Sequence, residues 1–166
     1  MASKNTETKE LVKNYLFFIL KFLVVFLFLS WFFNLKFIND LFINFFVLVI
    51  KGFLFIIGKG TTSIVDNQLF VNGIPMIVLK ECTGTAMYSL FLAFAFAYKF
   101  SKKNLKYVGL GLLMLIGLNI LRLFTIIVST YFGKSVFNFV HDFLWPSTFF
   151  IFTLIVVLYY IKRCSK

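Results

Sequence analysis

Residues 107–131 read YVGLGLLMLIGLNILRLFTIIVSTY, an apolar run interrupted in its second half by Asn119 and Arg122. About 20 mostly apolar residues cross the hydrocarbon core of a bilayer as a helix, because no water is present there to satisfy a free backbone. Four further stretches approach that length: Tyr15–Phe33, Leu41–Ile57, Cys82–Phe100 and Phe143–Ile161. None shows the ten-residue alternation of an outer-membrane barrel. The expected fold class is therefore all-α, a polytopic integral membrane bundle of about five transmembrane helices. The whole chain agrees: 61% of its 166 residues are hydrophobic and 26 are Phe, more apolar surface than a soluble domain of this size can hide.

Around these runs the chain divides into a polar N-terminal segment (1–14), two hydrophobic helices (15–57), an extracytoplasmic hairpin (58–81), a core of three spans (82–161) and a basic cytoplasmic tail (162–166). The 58–81 stretch is neither apolar throughout nor lysine-clustered. Asp66-Asn67-Gln68 and Val71-Asn72-Gly73 resemble turns between short strand-like pieces such as Ile74–Leu79. Gly58-Lys59-Gly60-Thr61-Thr62 lacks the glycine spacing and the Lys-Ser/Thr pair of a phosphate loop. The first apolar run is too long, and lacks the small-residue site, for a cleaved signal peptide, so it is expected to stay as a helix.

The net charge of +11 would raise nucleic acid as a partner in a soluble protein. Here the cations gather in Lys99, Lys102, Lys103 and Lys106 and again in Lys162, Arg163 and Lys166, between or after spans, where cytoplasmic loops carry them. No nucleic acid partner is expected. Placing both clusters inside puts residues 58–81 and 132–142 outside, with only Lys59, Lys80 and Lys134 among them. For the N-terminal half two arrangements stay open. Five full spans put Lys4, Lys9 and Lys13 outside, against the rule; otherwise one of the first two runs lies in the interface.

Ionisable groups within spans are expensive and mark function. Arg122 lies roughly 13 Å along the helix from Tyr131 at about 1.5 Å per residue, where a lone Arg costs on the order of 2.5–3.5 kcal/mol. Asn119, three residues earlier, shares its face and can brace the guanidinium or a backbone carbonyl. Cys82 heads the third span and His141-Asp142 precedes the fifth, all toward the outer side. A helix N-terminus and a nearby cation favour a thiolate, which makes Cys82 the candidate nucleophile. Arg122 can stabilise that thiolate or the oxyanion of a tetrahedral intermediate, since it never deprotonates. An imidazole suits a general acid/base that protonates a leaving amine, which makes His141 the candidate for that role. Glu81 would disfavour the thiolate unless it pairs with Lys80 or His141, and its role stays open, as does any supporting part for Asp142. Two Cys and one His are too few for a conventional zinc site, so neither metal nor other cofactor is expected. Cys164 sits at the inner end, about 30 Å of bilayer core away, beyond disulfide reach of Cys82.

Glu81-Cys82-Thr83-Gly84, then Asn119-Ile120-Leu121-Arg122, then His141-Asp142 before an apolar span resemble the exosortase/archaeosortase family, with the Glu-Cys-Thr-Gly form closer to archaeosortases. The resemblance runs from about Leu41 to Ile161. It implies a membrane-embedded cysteine transpeptidase or peptidase, with Cys82 as nucleophile and Arg122 and His141 as its partners. It also implies a substrate class: secreted surface proteins whose C-terminal sorting signal is a short motif, a hydrophobic helix and a basic tail. Cleavage would leave a thioester, resolved by an amine acceptor such as a membrane lipid, or by water. The implied home is a prokaryotic cytoplasmic membrane, archaeal before bacterial, with the site on the extracytoplasmic side. The competing reading is a non-enzymatic scaffold or transporter subunit in which Arg122 and Asn119 pack against a neighbour.

Overall fold

The computed structural model describes residues 2–56, 62–65, 68–71 and 74–164. The protein is an all-α membrane bundle carrying one small sheet. Its helices are α1 (Ala2–Asn34), α2 (Lys36–Ile56), α3 (Thr85–Lys99), α4 (Leu105–Ser129), α5 (Lys134–Asn138) and α6 (Trp145–Cys164). Among the described residues four helical stretches are long and apolar enough to cross a bilayer: Lys9–Asn34, Lys36–Ile56, Lys102–Phe132 and Lys134–Cys164. The apolar run expected as a third span forms a shorter helix. The 15 residues of α3 rise only about 22 Å, less than a hydrocarbon core of about 30 Å.

Three boundaries differ from the sequence expectation. The polar N-terminal segment does not stand apart, because α1 begins at Ala2 and runs through it. Cys82 does not head a transmembrane helix; it lies in a 3-10 turn, Lys80–Thr83, and Gly84 at φ +74° separates that turn from α3. The segment 132–142, expected on the outer side, is helical again from Lys134 and passes through a π-helical turn at Phe139–Leu144 into α6. His141 and Asp142 therefore sit inside that π turn, a distortion that recurs at functional sites.

Strands β1 (Thr62–Val65), β2 (Gln68–Val71) and β3 (Ile74–Ile77) form an antiparallel sheet in the order β1-β2-β3. A three-stranded meander thus stands where a hairpin was expected. Gln68 faces Ile77 and Val71 faces Ile74, and Pro75 lies on an edge strand, where its missing N–H is tolerated. The expected turn residues Asp66, Asn67, Asn72 and Gly73 lie outside the described residues.

The interior holds two apolar clusters. Ile43, Phe46, Ile50 and Leu54 of α2 meet Leu123 and Ile127 of α4, and Tyr88, Phe91 and Ala95 of α3 meet Leu115 of α4 and Val156 and Tyr160 of α6. Large apolar side chains cover the outside as well, among them Leu16 and Phe17 of α1, Phe55 of α2, Leu113 of α4 and Leu158 of α6. In water such a surface would aggregate, whereas in lipid it is the solvated face. Polar groups are turned inward instead: Ser89 and Thr153 are buried and donate to the Thr85 and Phe149 carbonyls one turn back. The α3–α4 contact depends on a missing side chain, since a Cβ on Gly111 would overlap the fully buried ring of Phe91. Gly111→Val is expected to lower the thermal midpoint in detergent by an overpacking cost of about 1–3 kcal/mol. Gly117→Ala, where nothing stands within 4 Å of the added carbon, is expected to leave the midpoint unchanged or slightly raised.

Candidate functional site

The candidate site forms where the 3-10 turn before α3 meets the middle of α4. Within the turn, Cys82 N–H donates to the Leu79 carbonyl at 2.9 Å and Thr83 Oγ1 donates to the Lys80 carbonyl at 2.6 Å. The left-handed Gly84 then redirects the chain, and its own carbonyl accepts from the N–H groups of Met87 and Tyr88, which starts α3. Only glycine fits this position without strain. Its φ is +74°, and a Cβ would stand 3.2 Å from the Tyr88 hydroxyl and 3.3 Å from both Asn119 Cγ and Phe149 Cε1. The N-terminus of α3, with its partial positive charge, begins three residues after Cys82.

From α4, two side chains on one face engage the main chain of this turn. Asn119, fully buried, donates through Nδ2 to the Cys82 carbonyl at 3.0 Å. Arg122 reaches the Glu81 carbonyl with Nη1 at 3.4 Å and lies over the Phe149 ring, 6.0 Å from its centroid. Its guanidinium is within electrostatic range of both Cys82 and Tyr88. A cavity of about 390 Å³ opens beside them, bordered by Lys80, Glu81, Gly84, Thr85, Arg122 and Phe149. The Cys82 side chain is half-buried and packs at the edge of the α2–α4 apolar cluster.

The structure thus joins the turn of Glu81 and Cys82 with Asn119 and Arg122, but not with His141. The His141 Nδ1 bonds Asp142 Oδ1 at 2.6 Å, and the imidazole stacks on Phe137 with centroids 5.7 Å apart. Among the described residues neither member of that pair is hydrogen-bonded or ion-paired to Cys82 or Arg122. What connects the two regions is a relay one turn further on. Trp145 Nε1 donates to Thr125 Oγ1 at 2.6 Å, and Thr125 Oγ1 donates to the Arg122 carbonyl at 2.9 Å. Glu81 pairs with neither Lys80 nor His141. Its side chain is exposed, and its main-chain carbonyl is what meets Arg122. Both cysteines are free thiols; Cys164 is buried beside Tyr160 at the far end of α6.

Sequence reasoning passed over Tyr88, Phe149, Thr125 and Trp145. Tyr88 left a trace in the spacing, since it follows Gly84 by one helical turn, but an aromatic in an apolar run reads as packing. In comparisons with protein-family models, curated proteins and solved structures, the chain matches none. The Asn119–Cys82 bond is the joint of the site. Asn119→Leu strands a buried carbonyl, at an expected cost of about 1–3 kcal/mol read as a lower thermal midpoint. Gly84→Ala is expected to cost a similar amount, about 1–3 kcal/mol for a non-glycine residue in the left-handed region.

Proposed function

We propose that this protein is a membrane-embedded cysteine transpeptidase of the exosortase/archaeosortase kind. The observation that carries the reading is the held turn: Cys82 stands just ahead of the α3 N-terminus, its carbonyl fixed by Asn119, with the Arg122 cation in electrostatic range. A helix N-terminus and a fixed cation are what a cysteine nucleophile needs to act as thiolate. Arg122 Nε is buried without a hydrogen-bond partner among the described residues, and an ionisable group kept within an apolar span is the mark of a functional site.

In this reading Cys82 Sγ attacks the carbonyl carbon of a substrate peptide bond, and Arg122 stabilises the oxyanion as the tetrahedral intermediate forms. The C–N bond breaks, the leaving amine takes a proton from His141, and the acyl group stays on sulfur as a thioester. An incoming amine, or water, then attacks the thioester, gives its proton to His141 and releases the thiolate. Asp142, bonded to Nδ1, leaves Nε2 as the proton-transfer atom, and the Trp145–Thr125 relay holds the start of α6 against Arg122. The substrates are secreted proteins with a C-terminal sorting signal, cut on the extracytoplasmic side of a prokaryotic cytoplasmic membrane, archaeal before bacterial. The acceptor is an amine, such as that of a membrane lipid, or water.

Cys82→Ala is expected to abolish processing of surface proteins in the cells that make this enzyme. Arg122→Ala should lower it by about 10²- to 10³-fold, with insertion of both variants intact and Cys164→Ala silent. His141→Ala is expected to slow turnover with a smaller effect on labelling of Cys82. Labelling sealed vesicles of the Cys164→Ala protein at neutral pH with a membrane-impermeant maleimide tests the thiol directly. Rapid labelling that slows when Arg122 is replaced supports the reading; labelling indifferent to Arg122, together with normal processing by Cys82→Ala, returns the protein to the scaffold class.

A further inference from the structure

Three residues that meet around the turn each keep a buried polar atom without a hydrogen-bond partner among the described residues: the Tyr88 hydroxyl, Asn119 Oδ1 and Arg122 Nε. Tyr88 is 2% exposed and Asn119 fully buried. The first two flank Gly84, with the Tyr88 oxygen 3.2 Å and Asn119 Cγ 3.3 Å from where a Cβ would stand. The hydroxyl lies beside the Asn119 carboxamide. Arg122 lies within electrostatic range of Tyr88 and Cys82 together.

Unpaired donors in an apolar interior cost stability, and a fold has no reason of its own to keep this one. The Tyr88 ring is held by packing, against Phe42 at a centroid distance of 6.3 Å and within the α3–α4–α6 cluster, and Phe would pack there equally. One carbonyl oxygen accepts through two lone pairs, which the Tyr88 O–H and the Arg122 Nε–H can fill together.

Resting on the transpeptidase reading, we propose that Tyr88 is a catalytic residue of this site: its hydroxyl, with Arg122 Nε–H, holds the oxyanion of the carbonyl attacked by Cys82. The cavity bordered by Gly84, Arg122 and Phe149 adjoins these groups, since the Tyr88 hydroxyl and Asn119 Cγ stand 3.2 and 3.3 Å from the Cβ position of Gly84. Donors fixed in advance in a water-poor site stabilise developing charge without reorganising when the reaction occurs.

The test uses the full chain in detergent with Cys164→Ala as background and two probes of the same thiol. p-Nitrophenyl acetate acylates sulfur through a tetrahedral oxyanion, forming the thioester and releasing p-nitrophenolate. Iodoacetamide alkylates it by displacement of iodide, with no oxyanion. Tyr88→Phe is expected to slow acylation by about 10²-fold, the usual effect of removing one oxyanion donor, while alkylation is unchanged and the thermal midpoint is equal or higher. Equal slowing of both probes with a lower midpoint assigns the hydroxyl to structure, held through a bound water, and overturns the proposal. Unchanged acylation overturns it for Tyr88 alone, with the nucleophile intact. If the parent thiol alkylates yet never acylates, the transpeptidase reading falls and Tyr88 with it.

Discussion

A carboxamide fully enclosed in an apolar helix has to be answered by another polar group, and in this protein Asn119 is answered by the main-chain carbonyl of Cys82. The bond fixes where the 3-10 turn lies along α4. Arg122, three residues on, then has its partner chosen for it, the Glu81 carbonyl of the same turn. Gly84 has to be glycine because the Tyr88 hydroxyl, the Asn119 carboxamide and the Phe149 ring already surround it. The site is therefore less a cluster of side chains than a turn of backbone clamped against a helix.

The rest of the bundle serves that clamp. The α2–α4 and α3–α4–α6 clusters hold α4 from two sides, and Gly111 lets Phe91 of α3 come close to it. Thr125 and Trp145 link α4 to the start of α6, so that the π turn with His141 and Asp142 is tied to the helix that carries Arg122. His141 meets its acid partner but not the thiol.

Much of the bundle was legible in the residues because a bilayer imposes one simple rule on composition. Runs such as Leu41–Ile57 and Tyr107–Tyr131 fall within or close to the helices α2 and α4. The polar pair Asn119 and Arg122 also stood out, since little else polar occurs within its run. The residues around them did not. Tyr88 and Phe149 read as ordinary apolar positions, and their part in enclosing Gly84 comes from three helices meeting at one point. The same holds for the start of the last helix. Residues 134–142 carry Lys, Ser, Asn, His and Asp and lack the hydropathy of a span, yet they are helical because they continue into α6.

By itself, the sequence determined that this chain is a helical membrane protein and which helix carries its costly polar residues, because hydropathy and the price of a buried charge are local properties of a segment. Only the tertiary structure decided that Cys82 occupies a 3-10 turn rather than a helix, that Asn119 holds its carbonyl, and that Tyr88 and Arg122 keep unpaired donors beside it. The bonds of Asn119 and Arg122 to the turn join residues 37 and 41 apart in sequence, and no local pattern encodes which carbonyl a buried side chain will find.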